Sequence, residues 1–244
     1  MHNLKVIIPF YNVENWIATN IESILGQTYK NFSCFYIDDV STDESLTILE
    51  EYSSDKRINI IKNEQKKYAL SNIYHAIELA DLKDDDIIII IDGDDWLAND
   101  KVFEYINKIY TEEDVLLTYG TYIEYPSGKV PFNISSYSQE IVKNNAYRKD
   151  IWRASHLRTF KYKLWKNIKI EDLKDKDGNF FRMTWDLAIM FPMLEMCNGK
   201  FKFVENITYC YNLTNPINDH KVDHSLQLKL EKEIRNKKIY DRKF

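Results

Sequence analysis

The sequence predicts an α/β fold, an open and mostly parallel sheet with helices on both faces. Three observations predict it. Short apolar runs alternate with helix-period segments through the first 120 residues. Five consecutive isoleucines, Ile87 to Ile91, suit a strand buried on both faces, as parallel sheets require. Acidic pairs and triplets follow two of the predicted strands, at Asp38-Asp39 and at Asp92, Asp94 and Asp95. Ligands in such sheets bind at the carboxyl ends of the strands, so both acidic runs fall on the functional edge.

Each element follows from local pattern. Leu4–Phe10 is a compact apolar strand ended by Pro9 and Asn12. Trp16–Leu25 puts Ile17, Ile21, Ile24 and Leu25 on one helical face, and Gly26 suits its end. Ser33–Ile37 is a second strand, and Asp39-Val-Ser-Thr-Asp43 leads into a helix running to Tyr52, with Ser, Thr or Asp43 as cap. Arg57–Ile61 is a third strand and Tyr68–Leu82 a third helix. The turn Asp84–Asp86 leads into the isoleucine strand; Asp100–Tyr110 is a fourth helix and Val115–Tyr119 a fifth strand. From Ser225, Leu226, Leu228, Leu230 and Ile234 among Lys, Arg and Glu read as an amphipathic helix on the domain, with a membrane or partner surface as the alternative.

Composition bounds the function. A chain of 244 residues with 44% hydrophobic and 14% aromatic residues builds one sizeable core. A formal net charge of −5 gives no case for nucleic-acid binding. Cys34, Cys197 and Cys210 are odd in number without CxxC spacing, which reads as buried thiols in a reducing, cytoplasmic compartment. Strand-like residues begin at Leu4, so no signal peptide is expected, and no apolar run reaches the roughly 20 residues of a membrane span. The Asn-x-Ser/Thr matches at Asn31, Asn133, Asn206 and Asn212 are then chance.

Three close carboxylates at a strand end repel one another unless a cation sits between them. Hard oxygen ligands suit Mg²⁺ or Mn²⁺, which in turn hold a diphosphate; the alternative is a polar turn. The glycine patterns of dinucleotide-binding and P-loop folds are absent, since Pro9-Phe10-Tyr11-Asn12 follows the first strand. A nucleotide would instead stack on Tyr11, with Asp39 accepting from a base N–H. Core packing for Tyr11 and helix capping for Asp39 are the alternatives.

Val6-Ile-Ile-Pro-Phe-Tyr-Asn12, Ser23-Ile-Leu-Gly-Gln-Thr-Tyr29, Ile37-Asp-Asp-Val-Ser-Thr-Asp43 and the acidic run resemble the family 2 glycosyltransferases of the GT-A fold. The likeness covers residues 3–120 well and the remainder loosely, and departs at Val40, where many members have Gly. It implies that Pro9 and Tyr11 line the nucleotide pocket, that Asp39 contacts the base, typically uracil, and that Lys67 approaches the nucleotide. It implies Asp94 on the ribose or sugar, Asp95 on the metal of an Asp-x-Asp motif, and Asp92 in support.

The second half must supply the acceptor side. Residues 148–169 hold eight Lys/Arg and one acid, Asp150. Within them His156 and Arg158 suit acceptor or diphosphate binding, Arg158 through a forked pairing with phosphate or carboxylate; a solvated basic face is the alternative. Met183-Thr-Trp-Asp-Leu opens an apolar helix with Asp186 in its first turn, where the helix dipole favours a carboxylate. Family members place their catalytic base there, usually as Glu-Asp; here Trp185 takes the first place and Asp186 the second. A helix cap is the alternative. The resemblance also implies a late His as metal ligand, and His220 is the expected one, with His224 in reserve. The resulting expectation is a donor-binding half over 1–120, an acceptor and catalytic part over 121–224, and a C-terminal helix over 225–244. The activity expected is metal-dependent, inverting transfer from a nucleotide-sugar, UDP-linked by preference, to a hydroxyl of a glycan or related acceptor. The alternatives are a catalytically silent nucleotide-sugar or glycan-binding module and, less favoured without a Gly-rich phosphate loop, a nucleotidyltransferase.

Overall fold

The computed structural model describes every residue except Asn133 and Asn218, and every side chain except those two and those of Asp219 and His220. The chain opens with β1 (Leu4–Phe10), α1 (Ile17–Leu25), β2 (Phe32–Asp38), α2 (Ser45–Glu50), β3 (Ile58–Lys62), α3 (Tyr68–Leu79) and β4 (Ile87–Ile90). It continues through β5 (Trp96–Leu97), α4 (Val102–Glu112), β6 (Leu117–Gly120), β7 (Ile123–Tyr125), α5 (Gln139–Asn144), β8 (Arg158–Lys161) and α6 (Tyr162–Trp165). The last elements are α7 (Trp185–Met196), β9 (Phe201–Val204), β10 (Tyr209–Asn212), α8 (Asp219–Val222) and α9 (His224–Asn236).

The main sheet has strand order β3-β2-β1-β4-β8-β6-β9. Its pairs are parallel except around β8, which runs antiparallel to both β4 and β6. The isoleucines alternate as a doubly covered strand should. Ile87, Ile89 and Ile91 enter the core that holds Ile17, Ile21 and Phe103, whereas Ile88 and Ile90 enter the core that holds Ile73, Phe191 and Leu194. All five are at most 1% exposed, and each contributes roughly 1.5–3 kcal/mol of apolar burial. Moving the register by one residue would exchange their cores, so the strand is fixed in place.

Register brings the strand ends together. Phe10 pairs with Asp38, Asp39 N–H donates to Phe10 O at 2.9 Å, and Gly93 N–H donates to Pro9 O at 3.2 Å. A Cβ on Gly93 would lie 2.4 Å from Phe10 Cβ, so only glycine lets the acidic turn approach β1 this closely. Because β8 is antiparallel, its first residue Arg158 pairs with Ile90 and lies on the edge where β1, β2 and β4 end. A second sheet, β5-β10-β7, lies beyond that edge and carries Tyr209, Tyr211 and Asn212.

The first-half elements match the sequence expectations within a few residues, and the amphipathic tail forms α9 with Leu230 and Ile234 buried. Val40 stands at φ 66°, the left-handed region that a β-branched residue adopts at a cost of about 1–2 kcal/mol. Glycine removes that strain but loses about 0.5–1 kcal/mol in chain entropy. Val40→Gly should therefore raise the melting temperature by about 1–4 °C in thermal unfolding; a lower melting temperature would show that the valine side chain contributes more packing than its backbone costs.

Candidate functional site

The edge formed by these strand ends is a cavity of about 480 Å³, within the usual range for a ligand site. Pro9, Tyr11, Asp39, Asp92, Asp94, His156, Arg158 and Asp186 all line it, so residues far apart in sequence meet around one space. Among those named from the sequence, Lys67 and Asp95 are not in its wall.

One end of the cavity is built from the loops after β1 and β2. The Lys66 ammonium lies over the Tyr11 ring, 3.1 Å from its centroid. Lys66, one residue before the expected Lys67, is thus the lysine in the cavity wall. Lys67 instead gives its backbone N–H to Asp39 Oδ1 at 2.7 Å, while Tyr68 N–H donates to Asp39 Oδ2 at 2.9 Å. Asn63 Nδ2 also donates to Asp39 Oδ1, at 3.0 Å. Asp39 therefore orders the start of α3 as well as lining the cavity; Oδ1 has both lone-pair sites engaged, and Oδ2 keeps one for a further N–H.

The acidic turn divides its carboxylates. Asp94 lines the cavity, with Oδ2 accepting from Asn215 Nδ2 at 2.7 Å. Asp95 is 1% exposed, and its two oxygens accept from Tyr209 O–H and Asn212 N–H, both at 2.7 Å. Burial raises the Asp94 carboxyl above its ordinary range. Burial, followed by repulsion from Asp94 and Asp92, raises Asp95 well above it. Ligand atoms of Asp92, Asp95 and His156 lie within 4.8 Å of one another. The donor chemistry fits a hard divalent cation on the carboxylates, since a double positive charge offsets both burial and mutual repulsion. The imidazole is less suited. Arg158 Nη1 donates to His156 Nδ1 at 3.3 Å, which keeps the ring proton on Nε2.

His156 itself is sandwiched, stacked on Tyr209 at 4.5 Å and on Tyr211 at 5.3 Å, with Tyr122 edge-on. Burial, then the neighbouring Arg158 charge, pushes it well below its usual range, so the ring is neutral. Arg158 is also buried. Its Nε donates to Ala154 O and its Nη2 to Asp186 Oδ2, both at 2.9 Å, and its guanidinium lies 5.2 Å from the Trp185 ring centre. Its fork is occupied by the protein's own groups, with Asp186 as the carboxylate. Asp186 is the second residue of α7, and the carboxylate bond recorded for it is the one to Arg158, with no backbone N–H among the described residues. The helix-cap alternative thus has no hydrogen bond behind it.

The basic segment is not a solvated face throughout. Arg148, His156 and Arg158 are buried, while Lys161, Lys163 and Lys166 meet Asp84 and Asp85 outside the cavity. The expected metal ligand His220, and Asp219 beside it, have side chains outside the described residues. His224 begins α9, with Nδ1 3.4 Å from Gln227 Oε1, and is absent from the described cavity wall. Sequence reasoning missed Lys66, Arg182, Asn215 and the Tyr209–Asn212 strand; only the alternation of Tyr209 and Tyr211 hinted at the last. Cys34 and Cys197 are buried as expected, and Cys210 is half-buried. No helix among the described residues is long and apolar enough to cross a membrane.

Comparison with known proteins agrees with this geometry. The chain is 34% identical over 122 residues to WfaP of Escherichia coli, a UDP-Glc:alpha-D-GlcNAc-diphosphoundecaprenol beta-1,3-glucosyltransferase; the match covers 50% of this chain and 47% of WfaP. It spans less than half the length of the first curated relatives it matches. Its fold matches Staphylococcus aureus TarS 1-349 in complex with UDP-GlcNAc, with TM-score 0.65 and 16% identity over 87% of this chain and 59% of that one. It also matches the mannosyltransferase PcManGT of Pyrobaculum calidifontis in complex with GDP-Man and Mn²⁺, with TM-score 0.62 and 14% identity over 98% of this chain and 66% of that one. The fold is thus the GT-A arrangement of those glycosyltransferases. The glycosyl transferase family 2 profile matches residues 5–176, and with the cavity at the strand ends it establishes that the chain belongs to that family of glycosyltransferases.

Proposed function

We propose that the protein transfers a sugar from a UDP-linked donor to an acceptor hydroxyl of a glycan, with inversion at the anomeric carbon, and that a divalent cation, Mn²⁺ or Mg²⁺, assists. The observation that carries this reading is that the Asp92/Asp94 pair, Asp186, Tyr11 and Asp39 line one cavity. The base stacks on Tyr11 beside Pro9, displacing Lys66, which is then free to approach the diphosphate. Asp39 accepts from the uracil N–H. The UDP-Glc named for WfaP and the UDP-GlcNAc named for TarS support uridine, and the dTDP-rhamnosyl transferase RfbG of Shigella flexneri marks the competing choice.

Asp92 would hold the cation together with Asp94, which shares the cavity wall with it; the Asp95 carboxylate also comes within 4.8 Å of Asp92 and His156, but both of its oxygens are already held by Tyr209 and Asn212. This differs from the sequence expectation, in which Asp95 holds the metal, Asp94 reaches the ribose or sugar and Asp92 supports: here Asp95 takes the supporting part, fixed by Tyr209 and Asn212. When bound, the cation supplies charge neutralisation for the leaving diphosphate. His220 remains the candidate for a further ligand.

Asp186 accepts the proton of the attacking hydroxyl. Arg158 holds the carboxylate in place from one side, and the stacked, neutral His156 in turn fixes Arg158. Attack from the face opposite the diphosphate inverts the centre in one displacement.

A panel of UDP-, dTDP-, GDP- and CDP-sugars, incubated with Mn²⁺ and assayed for nucleoside diphosphate release with and without candidate glycans, tests the reading. Release from a UDP-sugar that EDTA abolishes is expected. Tight donor binding with no release and no transfer to any glycan would favour a silent binding module.

A further inference from the structure

A second groove, of about 720 Å³, opens beside the donor cavity and shares Lys66, Tyr68 and Arg182 with it. We propose that this groove binds the phosphate-bearing portion of the acceptor, a diphosphate or phosphodiester attached to the glycan that receives the sugar. The proposal rests on the transferase reading above and adds the chemical class of the acceptor.

Three elements build the groove: the start of α3, the loop between residues 174 and 182, and the exposed side of α9. Its wall carries Lys66, Lys67, Lys174, Lys176, Arg182 and Lys229 against three acids, in a chain whose formal net charge is −5. Two of those acids are committed to shaping the wall. Asp175 Oδ1 accepts from the N–H groups of Asp177 and Asn179 at 2.9 and 3.0 Å, and Glu233 Oε1 accepts from Lys176 N–H at 2.7 Å. Among the described residues none of the six cations is in an ion pair. Several rest on aromatic faces instead. Arg182 lies 4.7 Å from the Tyr68 ring centre and Lys174 lies 5.4 Å from that of Phe180.

The wall is ordered before any ligand arrives. Asp175 N–H donates to Asn179 O at 2.8 Å, Lys174 and Phe180 form a β-bridge, and Gly178 supplies the positive φ of 82° that the turn needs. Lys237 Nζ ties the loop to the C-terminal segment by donating to Glu171 O and Lys174 O at 3.0 and 2.8 Å. A preordered wall with six cations that form no ion pair among the described residues suits a multiply charged oxyanion, and Arg182 offers the planar fork that phosphate oxygens match. Arg182 also lies four residues before Asp186 and lines the donor cavity. A phosphate held there tethers the acceptor next to the carboxylate that takes its proton, which raises the effective concentration of the attacking hydroxyl.

Calorimetric titration with inorganic tripolyphosphate, in EDTA so that no metal complex forms, tests the groove on the full chain. Saturable binding is expected to weaken at least tenfold in Lys176→Glu/Lys229→Glu and to a lesser degree in Lys176→Gln/Lys229→Gln, two sites outside the donor cavity. Lys56→Glu/Lys101→Glu, with the same change in net charge on a distant surface, should bind as the unaltered protein does. Equal losses in both charge-reversed pairs, or no saturable binding, would overturn the proposal. UDP titration in Mn²⁺ on the same variants reports the donor site separately: unchanged UDP affinity is expected, and if UDP fails to bind even the unaltered protein, the donor reading fails while the groove result stands. Displacement of tripolyphosphate by geranyl diphosphate identifies a lipid diphosphate carrier, and displacement by glycerophosphoglycerol, a phosphodiester, identifies a phosphodiester one; displacement by neither would overturn the assignment.

Discussion

Asp186→Asn should lower sugar transfer by about 10²–10⁴-fold, the usual consequence of removing a positioned general base. The amide keeps the shape of the carboxylate, and its carbonyl oxygen can still accept from Arg158 Nη2, which donates to Asp186 Oδ2 at 2.9 Å. Arg158 also retains Ala154 O and the Trp185 ring, so the buried guanidinium stays mostly satisfied. What the variant loses is the ability to take a proton. UDP affinity should remain near that of the unaltered protein, because Asp186 serves the acceptor side. Steady-state transfer, UDP titration and thermal melting on one preparation separate the outcomes. A fall in transfer with UDP binding intact is the expected result. Transfer within a few-fold of the unaltered rate would remove Asp186 from the mechanism and direct attention to Asp219.

The largest effect on stability should come from Glu195→Ala, far from the acidic turn. Glu195 is fully buried in α7 and accepts from Arg148 Nε and, at 3.0 Å, from Nη2, while Arg148 Nη1 donates to Ile234 O in α9. Tyr240 N–H donates to Glu195 Oε2 at 3.0 Å, so one carboxylate connects α7, residues 147–149, α9 and the C-terminal segment. Alanine leaves a buried guanidinium without its counter-charge, which costs about 3–5 kcal/mol. For a domain of this size that is roughly 6–20 °C in melting temperature. Replacing both partners at once, Arg148→Met with Glu195→Leu, should recover part of the loss, since an apolar pair leaves no unpaired buried charge, while Ile234 O and Tyr240 N–H still lose their partners. A loss below about 1 kcal/mol for Glu195→Ala would show that water reaches Arg148.

The parallel half was legible because each strand announces itself within its own residues. The isoleucine run, the Leu4–Phe10 run and the helical spacing of Ile17, Ile21 and Ile24 are local signals. β8 was not legible: Arg158-Thr-Phe-Lys161 is four residues with charged ends, and only its place between β4 and β6 makes it a central strand. The strands of the second sheet are two to four residues long, and the alternation of Tyr209 and Tyr211 in one of them is too short a signal to identify a strand. Within the site, the residue classes were readable and single-residue assignments were not. Whether Asp94 or Asp95 faces the cavity depends on a turn in which Asp95 N–H bonds Asp92 O at 3.1 Å, and on Tyr209, 114 residues away, holding Asp95 inside. Lys66 and Lys67 were likewise indistinguishable until Asp39 was seen to take the Lys67 N–H. Arg158 could be recognised as a carboxylate partner but not as the partner of Asp186, because 28 residues separate them.

Calorimetric titration of UDP into the unaltered protein, with Mn²⁺ and then with EDTA, alongside Asp94→Ala and a GDP titration, tests the central claim most directly. The account predicts saturable UDP binding in Mn²⁺, weakened at least tenfold by EDTA and by Asp94→Ala, and tighter than GDP. UDP binding that is undiminished in EDTA and in Asp94→Ala, or GDP binding tighter than UDP, would contradict it.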